Sequence, residues 1–371
     1  MTLLLYIIID ILALFFFYKY VIGKKSLNKI NKHNSKIYLI ISFVLLASLI
    51  VLRSSSVGMD YVSVGNSFKR IATGFETAYD IEWFGYPFFY IIKFLSIIIY
   101  DNVFLFYFII GLLSLFLLYK SILDNGEYKT MSLFLFISFC LYYQFLNQSR
   151  QMLAVSIILF SFKFIKDKKI IKYCITILLA SAIHNTAIIM LPMYFFTKIK
   201  ITNKILFLTL IIGVTLFFNT PMLEYIIQKT SYSYYLSTIY NQSFTSSSMM
   251  NLVFRIILLL LCLIPYKKVV KKYEYANVLY VMAIFCTFGQ IITINFYFMA
   301  RLTTYFFVFY IFLIPLVIEE FLNKIRINKR KKLFIILFIL FFVSYHFIYY
   351  FSSSGASGAG YEKYITIFSK E

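Results

Sequence analysis

The chain has 371 residues, of which 61% are hydrophobic and only 14% are charged. Water-soluble globular domains are typically about 45–50% apolar and about 25% charged, so this composition excludes that class. The net charge of +21 lies mainly in loops between apolar stretches, which is typical of membrane topology and argues against nucleic acid as a partner.

Apolar stretches of about 20 residues, enough to cross a bilayer, recur along the chain and predict an all-α, polytopic integral membrane protein with about 12 transmembrane helices. The first stretch, residues 3–22, has no basic segment before it and no small-residue cleavage site after it, so we expect a helix and not a removed signal peptide. The further stretches lie at residues 37–52, 103–119, 131–146, 152–162, 205–218, 252–265, 276–294, 302–318 and 333–350, with two short helices within 170–197.

Lysine-rich loops orient these helices, because basic loops stay on the cytoplasmic side of a membrane. The N-terminus, the loops 53–84 and 219–250, and the tail 352–371 are then outside, and residues 1–351 form one membrane domain. The tail is rich in Gly and Ser and is expected to be flexible. The basic loops are residues 23–36, 163–172, 266–275 and 323–332.

Two segments do not fit as simple spans. Residues 87–100 are apolar enough to cross, but a full crossing would move the basic loop 163–172 outside, so we predict a re-entrant or interfacial helix whose Lys93 reaches lipid headgroups. Residues 170–197 are too long for one helix and have basic loops on both sides. They predict two short helices that meet near His184, since broken helices occur in membranes where they line a cavity.

Arginines are placed differently from lysines in this chain. Five of them fall at or near the ends of apolar stretches that lie opposite the lysine clusters. A guanidinium group is a planar fork that binds phosphate or carboxylate through two hydrogen bonds. The pattern predicts an outward-facing site for an anionic, membrane-borne substrate. These arginines are Arg53, Arg70, Arg150, Arg255 and Arg301.

The first candidate motif begins the outer loop after the second helix. Gly58 beside Asp60 suits a tight turn that orients a carboxylate, and Tyr61 follows directly. Glu82 lies next to the re-entrant segment, where its carboxylate could face a cavity. The alternative is a solvated loop without a site.

Two further motifs lie at helix junctions. Asn147, Arg150 and Gln151 are costly between apolar helices unless they line a site, although a helix cap with a snorkelling arginine would also account for them. His184-Asn185 falls at the expected helix break, where a neutral imidazole could act as a base or hydrogen-bond partner, or be structural. No metal-ligand spacing and no Gly-rich phosphate loop is present, so the sequence predicts neither a metal nor a cofactor.

In order and spacing, these motifs resemble the EpsG family, polytopic proteins of exopolysaccharide and O-antigen gene clusters that are broadly the Wzy-type polysaccharide polymerases. The resemblance covers roughly residues 3–350, and the ordered series carries it more than any single motif. The series is Arg53, Gly58-x-Asp60-Tyr61, Glu82, Asn147-x-x-Arg150-Gln151-x-x-Ala154, the basic loop 166–172, Ala180-x-x-x-His184-Asn185-Thr186 and Arg301-Leu302.

The resemblance implies a helical membrane glycosyltransferase that needs no metal and joins undecaprenyl-diphosphate-linked repeat units at the outer face of the bacterial inner (cytoplasmic) membrane. Its expected partners are the lipid-linked glycan donor and acceptor, membrane lipids, a flippase and a chain-length regulator. Arg150 and Arg301 are the expected diphosphate clamp. Asp60, Glu82 or His184 is the expected base, with Asp60 or Glu82 as the first candidates and His184 as an orienting partner. The substrate-binding residues are expected to be Arg53, Gly58, Tyr61, Asn147, Gln151, Asn185, Arg255 and Arg301.

Other functions stay open. A flippase for the same lipid-linked unit would also need outward arginines and broken helices, together with cationic residues deep along its path. Here the basic residues cluster at helix ends, with Lys93 as the exception. A ligase that transfers finished glycan is closer in class. An acyltransferase would need a signature that the sequence does not present, and a purely structural scaffold would leave the outer charges without purpose.

Overall fold

A computed structural model describes residues 2–25, 29–54, 57–58, 87–99, 103–229, 233–236, 246–296, 299–356 and 364–368. Helices dominate these ranges, and no strand occurs within them. Four residues of the predicted site region, Asp60, Tyr61, Arg70 and Glu82, lie outside the described residues.

The described α-helices follow the apolar stretches of the sequence, and two 3-10 helices accompany them at Asn185–Lys198 and Ser233–Leu236. The α-helices are α1 (Thr2–Lys25), α2 (Lys29–Val51), α3 (Pro87–Ile99), α4 (Val103–Asn125), α5 (Lys129–Ser138), α6 (Gln144–Asn147), α7 (Ser149–Lys166), α8 (Ile170–Ile183), α9 (Asn203–Phe218), α10 (Thr220–Gln228), α11 (Ser246–Leu263), α12 (Tyr266–Lys272), α13 (Ala276–Thr293), α14 (Ala300–Phe307), α15 (Tyr310–Lys324) and α16 (Asn328–Ala356).

Four helical segments in the described part of the chain are long and apolar enough to cross a membrane. Three bent helix pairs raise this number to seven if each pair is one span. A multi-pass, all-helical membrane protein is therefore confirmed, and the total of about 12 transmembrane helices stays a prediction. The four segments are Thr2–Lys25, Phe104–Asn125, Ala276–Thr293 and Asn328–Phe351.

The chain forms two compact units. The first consists of Met1–Leu191 and Ile335–Glu371 and holds α1 to α8 with most of α16. The second consists of Pro192–Phe334 and holds α9 to α15. The expectation of a single domain over residues 1–351 stays a prediction.

Hydrogen bonds in the middle of helices hold the first unit together. The hydroxyl of Ser42 in α2 donates to the carbonyl of Ala13 in α1 at 2.8 Å and lies 2.8 Å from the hydroxyl of Tyr119 in α4. The Tyr119 ring also packs edge-on against Phe17 at 5.5 Å. Such contacts join α1, α2 and α4 and give the hydroxyls of Ser42 and Tyr119 hydrogen-bond partners among apolar side chains, where an unpaired hydroxyl would be costly.

Opposite charges mark one end of the first unit. Lys163 lies 3.8 Å from Asp124, and Lys166 lies 3.3 Å from Glu127, so the C-terminal ends of α4 and α7 meet at a lysine-rich end. Arg150 lies in the first turn of α7, at the other end of the same helix. Lysines and this arginine thus occupy opposite ends of α7, as the sequence predicts for two membrane faces.

Asn277 organises the start of α13 in the second unit. Its side-chain amide donates to the carbonyls of Thr197, at 3.0 Å, and Ile199. Its carbonyl oxygen accepts from the Tyr266 hydroxyl at 2.9 Å, and that hydroxyl in turn accepts from the amide of Ile201 at 2.9 Å. Asn277 and Tyr266 therefore provide hydrogen-bond partners for backbone groups of residues 197–201, where the longer 3-10 helix ends and the chain leads into α9.

A short segment of the tail, residues 364–368, pairs with the end of α2. The amide of Ser54 donates to the carbonyl of Ile365 at 2.7 Å, and the amide of Ile367 donates to the carbonyl of Leu52 at 3.0 Å. These residues differ from the expectation of a flexible tail, because backbone groups of the chain just after α2 supply hydrogen-bond partners for them.

Tyr364 fastens this segment further. Its ring lies 5.9 Å from that of Tyr6, and its hydroxyl donates to the carbonyl of Leu49 at 3.2 Å. Burial raises the pKa of Tyr364 to about 12, against an opposing effect of the Arg53 cation, so the hydroxyl remains a donor at neutral pH.

Deleting residues 364–371 should lower the unfolding temperature in detergent. The deletion removes two backbone hydrogen bonds and a half-buried ring, each hydrogen bond contributing about 1 kcal/mol, and in domains of about 150–250 residues a loss of 1 kcal/mol shifts the midpoint by about 2–4 °C. A thiol-reactive dye can report unfolding, since Cys140, Cys262 and Cys286 are buried. Deleting only residues 369–371 is the control, and equal midpoints for the two deletions would contradict the prediction.

Candidate functional site

A break in the helical run between α5 and α7 lies at the centre of the candidate site. The sequence predicts a helix over 131–146, but α5 ends at Ser138, and Cys140 has a left-handed backbone with φ of 56°. A left-handed residue cannot continue a right-handed helix, so the chain turns here. The short helix α6 and Gln148 then lead into α7. This turn, residues 139–148, includes α6 and places Asn147 two positions before Ser149, where α7 begins.

Arg53 joins the end of α2 to this turn. Its side chain is 2% exposed, Nη1 donates to the carbonyl of Phe145 at 2.9 Å, and the guanidinium carbon lies 5.3 Å from the centre of the Tyr107 ring. A carbonyl acceptor and an aromatic face are the kind of partners a buried guanidinium requires. Arg53 therefore cross-links the turn, and its predicted contact with substrate stays a prediction.

Gly58 packs directly against the same turn. Its φ is +99°, and a Cβ atom there would lie 2.0 Å from the carbonyl oxygen of Leu146 and 3.2 Å from Cα of Asn147. Only glycine combines this backbone conformation with so close an approach. The first and second sequence motifs are therefore in contact, although they lie far apart along the chain.

The three polar residues of the second motif differ in burial. Gln151 is 2% exposed, whereas Asn147 and Arg150 are partly exposed. Arg150 lies at the N-terminal end of an 18-residue helix, where the helix dipole adds to its positive charge. This end of α7 is electrostatically suited to an anion.

The helix break at His184 is confirmed. α8 ends at Ile183, His184 has an extended backbone with φ of −146° and ψ of 108°, and a 3-10 helix begins at Asn185. The Tyr173 hydroxyl donates to the carbonyl of Met190 at 2.5 Å, so the chain turns back along α8. Residues 170–190 therefore form a hairpin whose tip is His184-Asn185.

Because of the length of α8, this tip extends toward the end of the first unit where Arg150 lies. α8 packs against α7 and follows it after a short turn, so the two helices run in opposite directions. At a rise of about 1.5 Å per residue, α8 extends about 20 Å back along α7, which is about 25 Å long from Arg150 to Lys166. Locally, Nδ1 of His184 lies 2.8 Å from the hydroxyl of Thr186, which orients the imidazole.

Lys93 is placed differently from the prediction. Its side chain is 2% exposed and lies 5.1 Å from the ring of Tyr90 within α3, which packs against α4 and α8. Contacts with protein therefore surround the ammonium group, and it does not extend to lipid headgroups.

Arg255 and Arg301 belong to the second unit. Nη1 of Arg255 in α11 donates to Sγ of Cys286 in α13 at 3.3 Å, and its guanidinium lies 4.5 Å from the ring of Phe307 in α14. Arg255 thus connects three helices. Arg301 is partly exposed in the first turn of α14. Substrate contacts of both arginines stay predictions.

Asp10 belongs to none of the motifs predicted from the sequence, and the structure buries it in α1. The hydroxyl of Tyr143, a turn residue, donates to its Oδ2 at 2.5 Å. A lone acid inside an apolar stretch is itself a signal, because ionisable residues within transmembrane helices are costly. Among the described residues, no cluster of three or more His, Cys, Asp or Glu side chains could hold a metal ion.

Comparison with known protein families shows to which family the chain belongs. The model of the EpsG family matches residues 36–366, which is most of the chain. The chain belongs to the EpsG family. This family is associated with Wzy-type polymerases, so membership suggests a polysaccharide polymerase-type function. No curated protein and no solved structure matches the chain.

Replacing Gly58 with alanine should disrupt the contact between the first two motifs. The added Cβ meets a backbone carbonyl and the left-handed φ is strained, so we expect a loss of more than about 2 kcal/mol of stability, together with loss of polymer. Thermal unfolding and glycan length measure the two effects.

Gly213→Ala is the matched control for this change. The new Cβ would lie 3.1 Å from Cδ1 of Ile291, the mobile end of a side chain, and a helical Gly→Ala change can gain about 1 kcal/mol. A Gly58→Ala protein as stable as the control would refute the close packing.

Proposed function

We propose that this EpsG-family protein is a polysaccharide polymerase that joins undecaprenyl-diphosphate-linked oligosaccharide repeat units into a long glycan at the outer face of the inner membrane. Family membership supports the reaction class. One contact supports the assignment of residues to this reaction, because Gly58 packs against Asn147. Gly58 lies two positions before Asp60, and Asn147 lies three positions before Arg150. Candidate acid–base and anion-binding groups thus belong to chain segments that meet.

The proposed reaction requires the protein to stabilise a strongly anionic leaving group, the lipid diphosphate. A hydroxyl oxygen of the acceptor unit attacks the anomeric carbon of the growing glycan, the bond from that carbon to the lipid diphosphate breaks, and the diphosphate leaves with the electron pair. Arg150 is suited to bind this diphosphate, since it is partly exposed and lies at the positive end of α7. Arg301 is the second member of the proposed clamp.

The hydroxyl proton needs an acceptor as the new bond forms. Asp60 and Glu82 are our first candidates for this base. His184 is the third, or else the group that orients the acceptor, with its ring held by Thr186. Either role of His184 would place it in the site through the hairpin tip, which extends toward the end of the first unit that carries Arg150.

The remaining predicted residues would bind the glycan or its lipid diphosphate, and no metal or cofactor enters the proposed reaction. These residues are Arg53, Gly58, Tyr61, Asn147, Gln151, Asn185 and Arg255. The outward orientation is supported by the separation of lysines and Arg150 to opposite ends of α7. A flippase would then deliver the substrate, and a chain-length regulator would act on the product.

A flippase is the second candidate, and buried Lys93 is the observation that favours it. A diphosphate crossing the membrane needs cations along its path, and Lys93 is enclosed by protein within α3. We prefer the polymerase because the family match favours it and because Arg53, Arg150 and Arg301 lie at helix ends, whereas Arg255 lies in the middle of α11 and contacts Cys286 and Phe307.

Surface glycan in a strain lacking this protein separates the two functions. We expect single repeat units at the surface of the deletion strain and a ladder of long chains after wild type is restored. Arg150→Ala and Arg150→Lys should each fail to restore the ladder at matched protein level, because lysine keeps the charge but loses the bidentate fork. Repeat units trapped on the cytoplasmic face would instead establish a flippase, and a full ladder from Arg150→Lys would remove the bidentate argument.

Variants of the three candidate bases test the proton acceptor. Loss of a general base typically lowers the rate by about 10²–10⁴-fold, so at least one of Asp60→Asn, Glu82→Gln and His184→Ala should yield only short glycan. Gel analysis of glycan at equal protein level gives the answer. Long chains from all three variants would rule out this set of residues.

A further inference from the structure

Asp10 is a buried acid that the proposed reaction does not use. It lies within transmembrane helix α1, on the buried face that also carries Tyr6, Ala13 and Phe17. Its Oδ2 accepts the hydrogen bond from Tyr143, whereas Oδ1 has no hydrogen-bond partner among the described residues. An acid at this depth is costly, so its presence calls for a function.

Tyr143 is the residue through which Asp10 contacts the turn 139–148. The Tyr143 ring lies edge-on to Tyr6 at 5.0 Å and 5.5 Å from the ring of His346 in α16. Nδ1 of His346 lies 3.3 Å from the carbonyl oxygen of Ile137, one of the last carbonyls of α5. Side chains from α1 and α16 therefore hold the beginning of the turn.

Groups in α2 and just after it hold the rest of the turn. The Tyr142 hydroxyl donates to the carbonyl of Leu46 at 2.6 Å, and Arg53 donates to the carbonyl of Phe145. α7 begins at Ser149, directly after the turn, so the position of the turn sets the position of the helix end that carries Arg150.

We propose that Asp10 is a positioning residue for the polymerisation reaction. Asp10 accepts a hydrogen bond from the Tyr143 hydroxyl and holds the turn 139–148 in place. The position of this turn then sets the position of Arg150 relative to the lipid diphosphate. The inference rests on the proposed function. The role needs a hydrogen-bond acceptor at Oδ2, which asparagine also supplies, and it does not need a negative charge.

Kinetics with purified protein test this role. The substrate is the lipid-linked repeat unit extracted from the deletion strain, and kcat and KM are measured for Asp10→Asn, Asp10→Leu, Tyr143→Phe and the Asp10→Leu/Tyr143→Phe double variant. Misplacing a catalytic group by about 1 Å can cost about a hundredfold in rate, so we expect kcat to fall at least about tenfold for Asp10→Leu and Tyr143→Phe. KM should change less, because the diphosphate gains charge as the bond breaks.

Rescue and coupling distinguish positioning from general destabilisation. Asp10→Asn should retain kcat within about threefold, and the double variant should be no slower than the worse single variant, since both changes remove one interaction. Phe17→Leu, on the same buried face of α1, is the control. It should lower the unfolding temperature and leave kcat per folded protein unchanged.

Two outcomes would overturn the inference. Wild-type kcat in Tyr143→Phe and Asp10→Leu would show that the contact does not position the site. An Asp10→Asn protein as slow as Asp10→Leu would show that the carboxyl group acts other than by accepting Tyr143. Failure of the proposed function looks different, because wild-type protein would not elongate the lipid-linked unit. The unfolding temperatures of the same variants then test the contact between Asp10 and Tyr143. If the double variant lost as much stability as the two single variants together, the two residues would not be coupled.

Discussion

A break in a membrane helix leaves backbone carbonyls without helical partners, and the first unit is organised around satisfying them. In hydrocarbon there is no water to accept or donate these hydrogen bonds, so protein side chains must do so. Arg53 donates to Phe145, and His346 lies beside the carbonyl of Ile137. The turn between α5 and α7 can exist in the membrane protein because α1, α16 and Arg53, just after α2, supply polar side chains to it.

The choice of arginine at position 53 follows from this constraint. A guanidinium group can donate in its plane to a carbonyl while its face lies against an aromatic ring, as Arg53 does with Phe145 and Tyr107. A lysine ammonium is a strongly hydrated point charge and offers no such planar arrangement. Arg150, in contrast, is partly exposed, which fits the anion-binding role proposed for it.

Sequence patterns predicted those features that depend on local composition. The break at His184 follows from the length of residues 170–197 and the basic loops beside them, and the structure has it there. The end of α5 at Ser138 could not be foreseen, because the left-handed Cys140 is supported by contacts with α16. The burial of Arg53 depends on a partner 92 residues away, a separation that periodicity does not register.

In the proposed reaction, the end of a helix that is held in place by its neighbours carries the anion-binding residue Arg150. Stabilising a developing diphosphate charge requires a cation that is already in place, since reorganisation during the reaction would cost part of the gain. The first turn of α7 meets this requirement because the preceding turn is held from several helices. Gly58, two positions before the carboxylate candidate Asp60, meets the same turn at a position where the packing admits no side chain. The backbone of Asn147 therefore lies against Gly58 and also leads into the helix that carries Arg150.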